Sequence, residues 1–242
     1  MKSHRLTCWV ASFGMVLVAL LALPAPAGAA GSKHWNEQLQ KTVALLRAGN
    51  WKEAHEGAQR GIDSLFRSLA PGRSAGAAVG LFLMCRALAE AGLGQEREAV
   101  WDWRVAQQLD PRLETWDLSE FGAAGTLLDS KRLSRDPRPD LPRSTDEAYG
   151  PGITPPRKLV ARPPVIPEAT RSLAMGAQIE IFAVVTEEGV LAYPQLVEQG
   201  PLETVTLAAL DAMRDWRFEP AQRSGRPIAV DYKLGFKLSF GR

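Results

Sequence analysis

The clearest pattern of apolar and polar positions lies near the end of the chain. From Ile228 to Phe240 every even-numbered residue is large and hydrophobic, and every odd-numbered residue is small or charged. Side chains of a β-strand point to alternate faces, so this pattern predicts a long strand with one buried and one wet face. The wet face would carry the following residues: Ala229, Asp231, Lys233, Gly235 and Lys237.

The preceding residues predict two strands and a helix. Residues 177–185 are rich in β-branched side chains, residues 186–189 have the composition of a hairpin turn, and residues 190–197 form a weaker return strand. Pro194 lacks a backbone N–H and is therefore expected at a strand end or a bulge. Apolar residues then recur every three or four positions up to Pro220, which predicts a helix with one buried face. The predicted order is ββαβ.

Residues 33–130 instead predict helical hairpins. Two segments, Ala48–Ala54 and Gly92–Ala99, each place a glycine five residues before an alanine. A glycine ends a helix readily because it adopts the left-handed conformation, and the alanine lets the next helix pack closely. The tryptophans of this region are expected in the hairpin core rather than against a ligand: Trp35, Trp51, Trp101, Trp103 and Trp116.

The second hairpin resembles a tetratricopeptide unit. Counted back from Pro111, the matching positions are Ala106, Trp103, Ala99 and Gly94. The first unit lies 45 residues earlier, whereas that family repeats every ~34 residues. Glu90 also stands where the family usually has an aromatic residue. The resemblance implies TPR-like helical hairpins and leaves open whether they are true repeats.

Residues 131–152 predict a linker between the two regions. They are rich in proline, arginine and aspartate and have neither a helical nor a strand period. Such a composition favours an extended and partly stiff chain. The first interpretation is a solvated tether, and the second is a docking strip for an acidic partner. The C-terminal domain would then span residues 153–242.

The first 29 residues predict an export signal. Lys2 and Arg5 precede the apolar run Trp9–Leu23, and small residues follow up to Ala29. That order is typical of a signal peptide at residues 1–29, whereas an uncleaved membrane anchor would need a longer apolar run. Cleavage after Ala29 would leave Cys85 as the sole cysteine, so no internal disulfide is expected. Its apolar surroundings predict a core residue rather than a nucleophile.

Charge and motif content argue against several function classes. The formal net charge is +2, and loss of the export signal would leave equal numbers of basic and acidic residues, which argues against nucleic-acid binding. The run Gly72–Gly76 matches a serine-hydrolase pattern. That pattern requires a strand before the motif and a histidine after it, and the sequence predicts neither. His34 and His55 have no metal-ligand spacing. We therefore expect no enzyme activity, no metal and no cofactor.

The C-terminal region resembles the C-terminal domain of TonB energy transducers. The resemblance covers residues 153–240 and is carried by Arg214–Ala221, Gly225–Pro227, Pro164–Arg171, Gly176 and Val185–Val190. It implies an α+β protein in which a ββαβ domain follows the helical hairpins and the linker. The residues that would form the fold motif are Pro167, Trp216, Phe218, Pro220 and Gly225.

The resemblance also implies a partner and a compartment. Family members lie in the periplasm and bind the TonB box, a short extended segment of outer-membrane receptors, which adds as a strand beside the sheet. The final strand is the expected edge, with its wet-face residues 229–237 as the candidate contact. An anchored chain would also engage inner-membrane motor proteins, and exposed edges would permit a homodimer.

Three departures from the family, namely Ile166, the expected loss of the N-terminal anchor and a missing spacer, keep a second hypothesis open. Ile166 replaces the family's tyrosine, and the long proline-rich spacer is missing. A cleaved chain would have no anchor through which force could act. The alternative is therefore a periplasmic scaffold without energy transduction, in which the helical module holds one partner and the C-terminal domain docks another. A separate alternative to strand addition is that the charges of the final strand only keep an edge soluble.

Overall fold

The computed structural model describes most of the chain after residue 28. The described residues are 29–68, 75–136, 140–143, 149, 151–166, 168, 171, 175–176, 178–198 and 203–237. Some expectations fall outside these ranges and stay predictions: the signal peptide up to residue 28, the pattern at residues 72–74, Pro167, and the final strand beyond Lys237.

Consecutive helices form the N-terminal module. The helices are α1 (Ala29–Arg47), α2 (Trp51–Ser68), α3 (Gly76–Gly92), α4 (Glu96–Leu109) and α5 (Gly122–Ser130), with short 3-10 turns at Pro111–Thr115, Ser119–Phe121 and Leu133–Arg135. Trp35, Trp101 and Trp103 are buried, while Trp51 and Trp116 are partly buried against the same core. The prediction that the tryptophans belong to the core is therefore confirmed.

Glycines end the first helix of each hairpin. Gly49 and Gly94 have φ values of 73° and 76°, the left-handed conformation expected of them. After Gly94 the chain turns back, and the Gln95 N–H donates to the Glu90 carbonyl at 2.8 Å. The alanines five residues beyond the glycines are fully buried. These turns place α1 against α2 and α3 against α4.

The C-terminal region contains eight strands among its described residues, together with the helix α6 (Glu203–Arg214). The strands are β1 (Ile153–Thr154), β2 (Arg157–Val160), β3 (Gln178–Val185), β4 (Leu191–Glu198), β5 (Arg217–Glu219), β6 (Ala221–Arg223), β7 (Arg226–Ile228) and β8 (Val230–Lys237). The longest three form an antiparallel sheet in the order β4-β3-β8. With α6 between β4 and β8, the predicted α+β class and ββαβ order are confirmed.

The short strands differ from the prediction. The final strand was expected from Ile228, but Ile228 ends β7, which pairs with β6. Ser224 and Gly225 cause this difference because both have positive φ, 52° and 77°, and form a tight hairpin turn. The last long strand therefore begins at Val230.

The helical module packs against the C-terminal domain. The Arg97 Nη1 donates to the Arg214 carbonyl at 2.8 Å, and a Glu203 oxygen accepts from the Ala75 N–H at 2.8 Å. Buried residues of both regions belong to one hydrophobic core. None of the helices in the described ranges is long and apolar enough to cross a membrane.

The described part of the linker contacts the helical module and the sheet at several residues. Arg132 donates to the Leu113 carbonyl at 2.9 Å, and Asp136 accepts from Arg104 at 2.7 Å. Further along, Arg143 lies beside β8. The composition predicted a tether because proline and charge favour extended chain, but these arginines find buried acceptors on the module and the sheet.

Candidate functional site: two edges of the sheet

The outer edge of β8 is occupied at one residue. The Asp231 N–H donates to the Pro142 carbonyl at 2.9 Å, and Arg143 forms an isolated parallel β-bridge with Asp231. The Tyr149 hydroxyl donates to the Asp231 carbonyl at 3.4 Å. We call Pro142, Arg143 and Tyr149 the edge strap.

Beyond the strap the same edge continues for several residues. Backbone groups of a strand point to alternate sides, so Lys233 and Gly235 direct their N–H and C=O groups outward as Asp231 does. Their cross-strand partners on β3 are Phe182 and Glu180. Among the described residues, no backbone partner binds the outer side of Lys233 or Gly235. This stretch of β8 is the available edge.

Asp231 differs from its expected place on a wet face. Its side chain is fully buried, and Arg143 Nε donates to Asp231 Oδ2 at 2.6 Å. The Arg143 guanidinium also lies 4.8 Å from the centre of the Phe182 ring. The alternation of β8 failed here because the linker, 88 residues away in sequence, covers this face. Asp231 Oδ1 has no hydrogen-bond partner among the described residues.

The other wet-face candidates divide into three cases. Lys233 is exposed and pairs with Glu180 at 3.0 Å, and Gly235 is exposed beside it. Ala229 is half-buried and lies between β7 and β8 rather than in a strand. Lys237 pairs with Gln178 through the backbone at the end of β8. The structure thus brings Lys233 and Gly235 together on the available edge.

The opposite edge, on β4, is closed by the helical module. The Gln108 amide on α4 donates to the Pro194 carbonyl at 2.9 Å and accepts from the Leu196 N–H at 2.7 Å. One side chain therefore satisfies two outward backbone groups. Pro194 itself has no N–H, and Tyr193 has a φ of 51° where the pairing with β3 shifts register. The bulge predicted for Pro194 is confirmed, and it adds to the protection of this edge.

The C-terminal region, whose strand order and helix are described above, matches a known family. Residues 162–238 match the family model described as Gram-negative bacterial TonB protein C-terminal. This part of the chain is therefore similar to a TonB C-terminal domain. The solution NMR structure of the Pseudomonas aeruginosa TonB C-terminal domain matches 38% of this chain and 91% of its own, at 21% identity and a TM-score of 0.30. None of the curated proteins compared with the chain matches it.

The family match supports a TonB-like role in envelope transport. TonB C-terminal domains interact with outer-membrane receptors and are interaction domains rather than enzymes. Within the described ranges, no group of three or more His, Cys, Asp or Glu side chains could hold a metal ion. Cys85 is fully buried, and burial raises the pKa of its thiol to about 12.

The motif residues of the C-terminal domain serve its fold. Trp216 and Phe218 are buried, and the Trp216 indole N–H donates to the Arg162 carbonyl at 2.9 Å. Gly225 supplies the positive φ of the β6–β7 turn. Pro220 separates β5 from β6. These residues have roles in folding, which explains why the motif is recognisable. None of these roles indicates a ligand.

Charged side chains hold the C-terminal domain against the helical module; Arg86, Glu90 and Asp102 are buried, Arg214 is partly buried and Asp211 is half-exposed. Arg86 on α3 binds Asp102 at 2.9 Å and Asp211 on α6 at 3.2 Å. Arg214 on α6 binds Glu90 at 3.2 Å and Asp102 at 3.3 Å. Glu90 is buried, and this burial, with the nearby Asp102 charge, raises its pKa to about 7. We call these five residues the buried charge cluster.

Sequence reasoning missed this cluster. Its one visible signal was Glu90, a charge at a helix position where the resembling repeat family has an aromatic residue. The periodicity of each helix identified its buried face, but the match between Arg86 on α3 and Asp211 on α6 links residues 125 positions apart. Nothing local in the sequence indicates such a pair.

Proposed function

We propose that this protein binds an extended segment of an outer-membrane receptor by β-strand addition along the available edge of β8. The domain family supports the general role, and the observation that carries the specific site is the difference between the two sheet edges. Outward backbone groups at Lys233 and Gly235 have no backbone partner among the described residues, whereas Gln108 binds the outward groups of β4. The proposal includes export by residues 1–29 and action in the periplasm.

The chemistry of the edge suits a segment whose backbone is extended. The N–H and C=O groups of a sheet edge provide affinity, while alternate side chains provide selectivity. Lys233 is exposed beside Glu180, so the edge presents both signs of charge. The side chain of Gly235 is a hydrogen, which leaves the backbone open to close approach.

A titration of the full chain tests this proposal. Synthetic peptides copied from the TonB-box segments of the same organism's receptors would be titrated by calorimetry. We expect saturable binding that falls at least tenfold in Lys233→Pro, because proline removes an outward N–H without removing a bond to β3. Thermal unfolding would verify that this variant is folded.

Glu187→Pro is the matched control. Glu187 is exposed and follows Thr186 in the β3–β4 turn, where Gly189 N–H donates to the Thr186 carbonyl at 3.0 Å. Proline is favoured at this turn position, so peptide binding should be unchanged. Absence of binding at millimolar peptide would overturn receptor-segment binding, and equal binding by Lys233→Pro would overturn the assignment to β8.

A periplasmic scaffold is the second candidate function. The observation that favours it is that partly buried hydrogen bonds hold the helical module to α6 and β4. A partner bound by the helices would be held in a fixed position relative to the β8 edge. Receptor-dependent uptake in cells lacking their own TonB distinguishes the two: a transducer restores uptake, whereas a scaffold binds the peptides without restoring it.

A further inference from the structure

We propose that the edge strap is an intramolecular competitor for the β8 edge, so that a receptor segment binds fully only when Pro142 and Arg143 release Asp231. The inference rests on the proposed function, because it concerns how the same edge is regulated. The strap is contributed by the predicted linker and not by the TonB family match, which begins at residue 162.

The backbone geometry makes the competition direct. Strand addition uses the outward N–H and C=O groups of alternate residues, which on β8 are those of Asp231, Lys233 and Gly235. The Asp231 N–H already donates to Pro142, and its carbonyl accepts from Tyr149. A receptor segment that extended along the whole edge would need these same groups. Strap and segment therefore cannot both bind at Asp231.

The side-chain contacts of Arg143 stabilise the strap but can break reversibly. Arg143 pairs with Asp231 and stacks on Phe182, but its own side chain is 51% exposed. An ion pair with one exposed partner is weakened by water and salt. Asp231 is fully buried, and a buried carboxylate needs a charged or hydrogen-bonding partner. Arg143 supplies this partner in the strapped state, and another group would have to supply it in the released state. The contact is thus suited to exchange between a strapped and a released edge.

Such an equilibrium lowers the apparent affinity for a partner. When only a fraction of molecules has the edge released, the apparent dissociation constant equals the intrinsic value divided by that fraction. A substitution that weakens the strap should raise the affinity, which is the opposite of what loss of a binding residue does. This sign separates competition by the strap from a supporting role.

The test compares four full-length proteins with the same receptor-segment peptides. They are the wild type, Arg143→Ala, the double variant Arg143→Ala/Asp231→Asn, and the control Arg157→Ala. The double variant avoids leaving a buried carboxylate unpaired, which could impair folding. Arg157 is an exposed arginine paired with Glu219 away from β8, so it matches the lost charge without touching the strap.

We expect both strap variants to bind peptide about tenfold more tightly than the wild type, a change that corresponds to a released fraction rising from roughly a tenth to nearly one. The control should stay within about twofold of the wild type, as expected for an exposed pair. Without peptide, amide hydrogen exchange at Asp231 should become faster in the strap variants only.

The outcomes separate this inference from the function on which it rests. If all four proteins bind with equal affinity, or if Asp231 exchanges equally in all of them, competition by the strap is wrong while receptor binding stands. If no protein binds, including those with the strap released, receptor-segment binding itself is wrong and the competition fails with it.

Discussion

The two edges of the three-stranded sheet are protected in different ways. On β4, a helix of the same chain supplies Gln108, and Pro194 with the bulge at Tyr193 interrupts the edge. On β8, the strap covers Asp231 and leaves the outer side of Lys233 and Gly235 without a backbone partner among the described residues. A sheet edge is prone to unwanted pairing. This domain closes one edge through its core and the other through a surface contact.

The two edges differ in the number and burial of the contacts that must break before the edge is exposed. Opening β4 requires α4 to leave the sheet, and α4 is fixed by the Asp102 contacts of the buried charge cluster. Opening β8 requires the release of a half-exposed arginine, one backbone hydrogen bond and the Tyr149 hydroxyl bond to the Asp231 carbonyl. Regions that bind partners are drawn from the less stable parts of a protein. The β8 edge is the less stable of the two.

The largest loss of stability should come from a substitution in the buried charge cluster, which fixes α4 against the β4 edge. Arg86→Met removes the cation that binds Asp102 and Asp211 and leaves buried Asp102 with fewer partners. Loss of one partner from a buried pair costs roughly 3–5 kcal/mol. Urea unfolding would measure this change. As a control, Arg47→Met removes an exposed pair with Glu120 and should cost less than about 1 kcal/mol. Equal losses in both variants would contradict the importance of the cluster.

The second effect is a dependence of stability on pH. The pKa of Glu90 is raised from 4.5 to about 7 in the folded protein. A raised pKa means that Glu90 favours folding most below pH ~4.5 and loses this contribution as pH rises toward ~7. The loss is at most about 3.5 kcal/mol, because one pKa unit corresponds to about 1.4 kcal/mol. Urea unfolding at pH 5 and pH 8 measures it.

Glu90→Gln isolates this contribution from other titrating groups. Glutamine keeps the size of the side chain and carries no charge, so the difference in unfolding free energy between pH 5 and pH 8 should become smaller. An unchanged difference would show that Glu90 does not cause the pH dependence.

The third and smallest effect concerns the β4 edge directly. Gln108→Ala leaves the Leu196 N–H and the Pro194 carbonyl without their partner. An unsatisfied buried backbone group costs about 1–3 kcal/mol, and Leu196 should exchange its amide proton faster. Gln178→Ala is the control, because Gln178 is an exposed glutamine of the neighbouring strand. Unchanged exchange at Leu196 would mean that Gln108 does not close this edge.

Much of this fold could be predicted from local pattern. The two-residue period identified β3 and β8, and glycine and proline positions gave the helix ends and the Pro194 bulge. The short strands were missed because two or three residues carry no period, and their pairing depends on the turn at Ser224 and Gly225.

The candidate site was predictable only in part. Periodicity predicted that Lys233 and Gly235 lie on a wet face, and both are exposed, yet it could not show that Arg143 buries Asp231. Gln108 was likewise invisible, since a glutamine on a helix gives no sign of a strand 86 residues later. Contacts between distant segments decide which sheet edge is open, and these depend on tertiary packing.

The binding edge can be identified by amide hydrogen exchange of the full chain with and without saturating receptor-segment peptide. We expect slower exchange at Lys233 and Gly235 on peptide binding, with no change at Leu196, whose N–H is bound by Gln108. Slower exchange at Leu196, or bound peptide without any change along β8, would contradict the assignment of the binding edge.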